Sequence, residues 1–368
     1  MEQRAPSPGE ARPRLSDSPD VTMEELRLAA RNHGMPLEAL RYPVTPTGLH
    51  YLLTHYDIPL VDAAAWRLHV GGRVGRELEL TLEEIASRAP VRARVTMECA
   101  GNGRALLAPR PLSQPWLAEA VGTAEWGGTP LGLLLEEAGI LEDAVEVLFT
   151  GLDRGIEGEI EQSYERSLPL AEALRENVLL AFEINGRPLP PQHGFPLRLV
   201  VPGWYGMANV KWLARITVLE RPFDGYQQRR SYRLRQEEDE TGEPLSHMLP
   251  RALMVPPGIP EFQTRERFVE RGPCRLEGRA WSGRERIASV LVSTDGGGTW
   301  DEALVEPQEA PWLWTSWTYI WEPTRAGRYE LACRARDAAG SEQPLEPAWN
   351  LGGYANNAVQ RVAVTVLA

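Results

Sequence analysis

The chain has 368 residues, 43% hydrophobic and 24% charged, which is the composition of a globular protein with room for two domains. Its formal net charge of −12 argues against a nucleic-acid binder, because such proteins neutralise phosphates. The charge does not exclude an anionic substrate, since the local field of a site can oppose it.

The chain has no run of about 18 apolar residues, so we expect neither a transmembrane helix nor a membrane partner. Residues 1–20 are rich in Pro, Arg, Ser and Glu and lack the apolar run of a secretory signal. We therefore expect residues 1–40 to form a partly disordered extension and the protein to be cytoplasmic.

Helical and strand patterns follow one another irregularly between residues 22 and 219. Thr22 and Thr81 each precede a short helical pattern and are expected to be its N-cap. Helices are predicted at 22–32, 81–86, 130–138 and 171–176. Strands are predicted at 66–74, 78–80, 91–97, 145–150, 197–201 and 212–219. Because strands and helices do not alternate regularly, this part is predicted to be mixed α and β.

The character of the sequence changes after Tyr232. Residues 236–260 are polar and proline-rich, which is typical of a linker. From residue 262 onward, short strand patterns recur between turn signals and predict an all-β sandwich of the immunoglobulin type. The predicted organisation is an extension at 1–40, a first domain at 41–235, a linker at 236–260 and a sandwich at 261–368.

Three cysteines occur, and their spacing fits neither a disulfide framework nor a zinc site. Cys274 and Cys333 lie in apolar strand patterns, where burial is expected. Cys99 follows a predicted strand, and the small residues after it would let the backbone approach a bulky ligand. Its thiolate would suit a nucleophile or a soft metal ligand. The spacing alone leaves open a buried, inert cysteine.

A second block places a histidine, an arginine and a lysine within one apolar stretch. These residues are His193, Arg198 and Lys211, and Lys211 is the only lysine of the chain. Cationic groups that converge beside strands favour a phosphate-bearing ligand. The alternative is a pair of strands whose charged ends reach solvent.

Together, the two blocks resemble the sulfite oxidase family of molybdopterin enzymes. The resemblance is carried by Cys-Ala-Gly-Asn-Gly-Arg at 99–104 and by His-Gly-Phe-Pro-Leu-Arg…Val-Pro-Gly…Asn-Val-Lys-Trp-Leu between 193 and 213. Ala-Trp-Ser-Gly at 280–283 and Trp-Asn-Leu-Gly-Gly at 349–353 resemble that family's C-terminal dimerisation domain. The resemblance implies an α+β fold: a mixed α/β molybdopterin-binding catalytic domain followed by an all-β, immunoglobulin-like dimerisation domain.

The resemblance also implies a Mo-molybdopterin cofactor, the molybdenum cofactor, with Cys99 as the catalytic thiolate that ligates the metal. Tyr232 matches the family's active-site tyrosine. The cofactor-binding residues implied by the match are His55, Asp153, His193, Arg198, Asn209, Val210 and Lys211.

The chain departs from the family where the substrate would bind. Sulfite-oxidising members have Arg-Asn-His where this chain has Leu53-Thr54-His55, so Leu53 replaces the arginine that would hold the substrate anion. Losing such a charge-assisted partner normally weakens oxyanion binding. Another family arginine follows the Trp-Ser-Gly motif. Arg284 is nearest to it, in a loop one residue shorter, and is the third catalytic candidate.

The resemblance implies oxidation of sulfite to sulfate by oxygen-atom transfer. We expect no haem in the chain, so electrons would pass to an external acceptor such as a cytochrome. Leu53 keeps open a same-family reductase of a sulfoxide, N-oxide or nitrate. A further alternative is a catalytically inactive, sandwich-containing binding protein.

A homodimer is implied by the C-terminal match. Four tryptophans of the sandwich are interpreted either as anchors at the dimer interface or as ordinary core residues. They are Trp312, Trp314, Trp317 and Trp321.

Overall fold

The computed structural model describes residues 14–157 and 159–368, so residues 1–13 of the predicted extension lie outside it. Its helices are short, and no described helix is long and apolar enough to cross a membrane. The α-helices are Met23–Ala29, Leu82–Ala86, Leu131–Ala138, Leu170–Ala173 and Tyr226–Arg229. The 3-10 helices are Leu37–Arg41, Thr47–Leu49, Arg104–Leu106, Pro191–His193 and Gly206–Ala208.

The two predicted helix caps are confirmed. Glu25 N donates to Thr22 Oγ1 at 3.2 Å, and Thr22 N donates to Glu25 Oε2 at 2.9 Å. The same reciprocal pair joins Thr81 and Glu84. Each pair satisfies backbone N–H groups that the first turn of a helix leaves free, which explains why these helices begin where they do.

Two five-stranded sheets form the first part of the molecule. One is antiparallel, with Arg187–Pro188, Leu179–Ile184, Val121–Pro130 and Val91–Glu98 in that order, and Arg198–Val200 also paired to Leu179–Ile184. The other is mixed, in the order Leu78–Leu80, Leu68–Gly72, Leu213–Leu219, Glu146–Glu157 and Ile160–Pro169. Two short pairs join Leu15–Ser16 to Arg110–Pro111 and Arg233–Leu234 to Glu243–Pro244.

Four strands of the two five-stranded sheets are absent from the predicted elements: Val121–Pro130, Ile160–Pro169, Leu179–Ile184 and the two-residue strand Arg187–Pro188. Val121–Pro130 contains glycines and a proline, which are typical of turns. The strand is nevertheless buried along almost its whole length between two neighbours. A Cβ at Gly128 would lie 2.4 Å from the carbonyl oxygen of Leu180. The glycine is therefore explained by the close approach of two backbones.

Two further sheets face each other in the C-terminal part. The four-stranded sheet has the order Arg251–Met254, Cys274–Trp281, Thr315–Trp321 and Leu304–Val305. The six-stranded sheet has the order Ile259–Pro260, Arg267–Val269, Gln360–Val366, Gly327–Asp337, Ile287–Ser293 and Asp301–Glu302. Side chains from both sheets share one apolar core. An α+β domain followed by a β sandwich is thus confirmed, and the immunoglobulin type stays a prediction.

The predicted linker, residues 236–260, needs correction. Arg251–Met254 is a fully buried strand of the sandwich, paired antiparallel with Cys274–Trp281. The Ala-Leu-Met run supplies apolar side chains, which outweigh the prolines on either side of it. The sandwich therefore begins about ten residues earlier than predicted.

Most of the tryptophans considered as interface anchors are core residues instead. Trp317 is fully buried, and Trp314 and Trp321 are each 5% exposed. Trp312 is half-buried and donates from Nε1 to Arg94 O at 3.3 Å. The interpretation of Trp314, Trp317 and Trp321 as interface anchors is therefore wrong, because the fold of one chain already covers them.

The two parts of the molecule meet at a buried carboxylate, Glu98, the residue before Cys99. Glu98 Oε1 accepts from Arg251 Nη1 at 2.7 Å and from Asn102 Nδ2 at 3.0 Å. Glu98 Oε2 accepts from Trp281 Nε1 at 3.0 Å. Arg251 and Trp281 belong to the sandwich, so the sandwich helps to fix the start of the Cys99 loop.

Removing the arginine of this pair should destabilise the fold strongly. The Arg251→Met variant leaves a buried carboxylate without its ion-pair partner, which typically costs about 3–5 kcal/mol. We expect a loss of that size in the free energy of unfolding measured by urea denaturation at pH 7.

Arg73→Met is the matched control for that experiment. Arg73 pairs with Asp143 on the surface, where the two side chains are 39% and 50% exposed. Such exposed pairs contribute only about 0–1 kcal/mol. Equal losses in the two variants would contradict the role given to Glu98.

Candidate active site

Cys99 lies where the chain leaves the first sheet. The strand Val91–Glu98 ends immediately before it, and Asn102 N closes the following turn by donating to Cys99 O at 2.9 Å. A Cβ at Gly101 would lie 2.7 Å from the guanidinium of Arg104, so a larger residue there would displace the Arg104 side chain. The cysteine is 6% exposed. Burial raises the pKa of its thiol, and Arg104 opposes that rise.

The predicted cationic block is brought together beside this thiol. Arg198 begins a strand, and its Nη1 donates to His193 O at 3.1 Å. Lys211 lies just before the strand Leu213–Leu219, and its Nζ donates to Leu53 O at 2.9 Å. Gly194 has a φ of +104°, and a Cβ there would lie 3.0 Å from Lys211 Cβ. Among the described residues, neither Arg198 nor Lys211 forms an ion pair within 4.0 Å.

A first cavity joins the thiol to these cations. We call it the inner cavity. The predicted site residues that line it are His55, Cys99, Asp153, His193, Arg198, Asn209, Lys211 and Tyr232. Residues far apart in the sequence therefore converge on one space, next to a buried sulfur.

Two predicted site residues do not reach this cavity. Val210 is fully buried in the core, and its N–H and C=O are bonded to Ala208 O and Leu199 N. Arg284 is exposed, because Gly283 packs on the backbone of Gly203 and the loop turns outward. Neither residue lines the inner cavity, so the assignment of Val210 to the cofactor and of Arg284 to catalysis stays a prediction without support from this geometry.

Burial dominates the electrostatics of the inner cavity. It lowers the pKa of Lys211 to about 7 and that of Arg198 to about 10. It raises the pKa of Asp153 to about 6. These shifts show that the cations lack enough negative charge to offset their desolvation. A bound anion would supply that charge.

Several buried polar atoms of the lining also lack hydrogen-bond partners. They are His50 Nε2, Asp153 Oδ1 and Arg198 Nε. Unpartnered buried groups are uncommon, and each indicates a missing partner. The inner cavity therefore fits a polar, anionic organic ligand, and the thiol at its edge suits a soft metal carried by that ligand.

A second cavity adjoins the first. We call it the outer cavity. The residues that line both cavities are Leu53, His55, Cys99 and Tyr232. The outer cavity also contains Tyr56, Arg104, Glu157, Gln227 and Tyr354. The Cys99 thiol thus lies where two adjoining cavities meet.

A tyrosine–histidine pair lies where the two cavities meet. Tyr232 OH is hydrogen-bonded to His55 Nε2. Burial lowers the pKa of His55 to about 3 and raises that of Tyr232, so both groups are neutral at pH 7. Arg166 Cζ lies 5.3 Å from the centre of the Tyr232 ring. The pair offers an exchangeable proton close to the thiol.

Arg104, Arg166 and Tyr354 are among the residues of this region that are absent from the predicted site. Arg104 is the last residue of the motif at 99–104, and Tyr354 follows the motif at 349–353. Both residues could therefore have been predicted from these motifs. Arg166 lies on Ile160–Pro169, one of the strands that the sequence does not predict. The sequence therefore offers no pattern that would predict Arg166 as a site residue.

The comparisons with known proteins agree with this geometry. Residues 55–227 match the family model "Oxidoreductase molybdopterin binding domain", and residues 259–367 match "Mo-co oxidoreductase dimerisation domain". The chain is 37% identical to mitochondrial sulfite oxidase of Homo sapiens over 88% of its length, and it spans 62% of that protein. It is 36% identical to sulfite oxidase of Gallus gallus over 86% of its length, and it spans 72% of that protein.

A solved structure is also similar. The sulfane dehydrogenase SoxCD of Paracoccus pantotrophus superposes with a TM-score of 0.78 and 26% sequence identity. The match covers 91% of this chain and 86% of that one. The similarity therefore extends across both parts of the molecule.

The buried histidines predict how stability depends on pH in the ligand-free protein. Burial lowers the pKa of His50 to about 4 and that of His193 to about 2. In the unfolded chain both titrate near pH 6.5. Below that pH the unfolded state binds more protons, so the free energy of unfolding should fall as pH falls from 6.5 towards 4. Asp153, whose folded pKa is raised, opposes part of this loss.

Urea denaturation at several pH values measures the effect. Each proton of difference contributes about 1.4 kcal/mol per pH unit, so His193→Gln should flatten the slope by about that amount. His69→Gln is the control, because His69 is exposed beside Glu79 and should leave the slope unchanged. If the free energy of unfolding changed with pH by the same slope in the wild type and both variants, the neutral, buried state of His193 would be excluded.

Proposed function

The chain belongs to the sulfite oxidase family of molybdopterin oxidoreductases, and we propose on this basis that it oxidises sulfite to sulfate by oxygen-atom transfer. The reaction balances as SO₃²⁻ + H₂O → SO₄²⁻ + 2H⁺ + 2e⁻. The observation that carries the proposal is the buried Cys99 thiol between the cationic inner cavity and the outer cavity.

The cofactor is Mo-molybdopterin, which supplies an oxo-transferring metal when it is bound. In our proposal the Cys99 sulfur would ligate molybdenum as a thiolate, although burial alone raises the pKa of the thiol. His193, Arg198 and Lys211 would hold the phosphate end of the pterin. Asp153, with its unpartnered Oδ1, would accept a hydrogen bond from the pterin ring.

Residues of the outer cavity act on the substrate. Arg104 is a cation close to Cys99, and it attracts the oxyanion and stabilises the charge on its oxygens. Tyr232 donates or shares a proton at its hydroxyl, and His55 fixes that hydroxyl in place. Enclosure in a buried site keeps these interactions strong, because little water competes for them.

We propose that the chain forms a homodimer through its sandwich domain and passes single electrons to an external acceptor such as a cytochrome. The match of residues 259–367 to the dimerisation domain supports the first part. Phe262 and Ile259, which are 85% and 69% exposed, offer apolar surface at that domain.

A cytoplasmic location is also proposed. All three cysteines are free in the structure, which suits a reducing compartment. Cell fractionation with an antibody against the chain tests this location, and recovery outside the cytoplasm would contradict it.

The Cys99→Ser variant tests the proposed function. A serine hydroxyl is a hard, weakly acidic ligand, so the variant should fold normally yet reduce ferricyanide with sulfite at less than about 1% of the wild-type rate, as expected when an essential group is removed. Cys274→Ser is the control, because Cys274 is a half-buried residue of the sandwich and should leave the rate unchanged.

Two outcomes would contradict the proposal. Wild-type activity in Cys99→Ser would remove the thiol from the reaction. A wild-type enzyme that carries molybdenum but does not reduce ferricyanide with sulfite, and instead oxidises reduced methyl viologen with nitrate or a sulfoxide, would favour the reductase alternative.

A further inference from the structure

The outer cavity is poor in positive charge for a site that is to hold a dianion. Arg104 is the only arginine or lysine among the residues that line it, within the part of the chain that the structure describes. Two edges of its guanidinium are already used, since Nε donates to Gly352 O at 3.0 Å and Nη1 to Gln114 O at 3.3 Å. Few of the hydrogen-bond donors of Arg104 therefore remain for a substrate.

A carboxylate lines the same cavity. Glu157 Oε2 accepts from Gln227 Nε2 at 2.8 Å and from Tyr56 OH at 3.2 Å. These neutral donors hold the carboxylate in place without cancelling its charge. The side chains of Arg104 and Glu157 carry opposite formal charges, so the charges of the outer-cavity lining sum to zero. A second negative charge on a substrate is therefore disfavoured.

Apolar surface surrounds the approach to Cys99. Leu53 is half-buried and lines both cavities. The rings of Tyr232 and Tyr354 lie 5.1 Å apart and form an aromatic wall, with Arg104 Cζ 5.1 Å from the centre of the Tyr354 ring. Such surfaces favour a carbon substituent over a bare inorganic ion.

We propose that the enzyme also oxidises organic sulfinates, R–SO₂⁻, and prefers them to sulfite. A sulfinate has the sulfur lone pair of sulfite but one negative charge fewer, and it carries an apolar group suited to Leu53 and Tyr354. Its oxygens face Arg104, and its substituent packs against the aromatic wall. The inference rests on the proposed function, because it uses the same metal and the same cysteine.

The reaction balances as R–SO₂⁻ + H₂O → R–SO₃⁻ + 2H⁺ + 2e⁻. One sulfur–oxygen bond forms, the carbon–sulfur bond stays intact, and water supplies the oxygen. The two electrons leave one at a time to a one-electron acceptor, which is ferricyanide in the assay.

The test compares benzenesulfinate, methanesulfinate and sulfite as electron donors to the cofactor-loaded enzyme. We expect the highest kcat/KM for benzenesulfinate. A second measurement does not depend on turnover: isothermal titration of the oxidised enzyme should show tighter binding of benzenesulfonate than of sulfate.

The Leu53→Arg variant should reverse the preference. A second guanidinium next to Cys99 would favour sulfite over benzenesulfinate by roughly tenfold relative to the wild type, the effect of one charge-assisted hydrogen bond. Leu60→Arg is the control: Leu60 is fully exposed and lines neither cavity, so the same added charge should leave the ratio of the two kcat/KM values unchanged.

The outcomes separate this inference from the proposed function. Turnover with sulfite and none with either sulfinate overturns the inference and leaves the proposed function standing. If no donor reduces the loaded enzyme, the proposed function fails. The binding measurement then tests the inference without turnover. The inference is overturned if benzenesulfonate binds no more tightly than sulfate.

Discussion

The burial of several cations around one cavity, without enough protein carboxylate to offset them, is the constraint on which this site depends. Lys211 and Arg198 donate to backbone carbonyls, which are weaker partners for a buried charge than a carboxylate. The lowered pKa values of both groups report the same deficit. An anionic ligand removes it, and this explains why a stable fold retains such an arrangement. The chain's single lysine, Lys211, lies at this point.

The second constraint is the position of Cys99 at the meeting of the two parts of the chain. The strand before it belongs to the first sheet, whereas Glu98 is bonded to Arg251 and Trp281 of the sandwich. Ala355 N also donates to Ala100 O at 2.8 Å, so the sandwich holds the turn on both sides of the cysteine. A domain matched as a dimerisation module therefore contributes directly to the geometry of the site. Tyr354 adds a wall of the outer cavity from the same domain.

The sequence predicts the parts of this structure that depend on local chemistry. Cys99, His193, Arg198 and Lys211 lie in dense motifs, and the structure brings their side chains to one cavity. The helix caps at Thr22 and Thr81 depend on residues only three positions away, so they can also be predicted from the sequence.

Features that depend on distant packing could not be predicted from the sequence. Gly128 resembles a turn residue in the sequence, and only the backbone of Leu180 beside it explains why it lies in a strand. Arg251–Met254 resembles part of a linker until its pairing with Cys274–Trp281 is known. Arg284 follows a recognisable motif, but the packing of Gly283 on Gly203 directs it to the surface. The direction of a loop depends on such contacts, which sequence spacing does not report.

The central claim is that the Cys99 sulfur bonds the metal of a ligand whose phosphate end is held by the buried cations. X-ray absorption spectroscopy at the molybdenum edge tests it most directly. We expect the purified protein to contain molybdenum with a sulfur shell that includes one protein thiolate, and the Cys99→Ser protein to lose one sulfur from this shell. Identical sulfur shells in the two proteins would contradict the account.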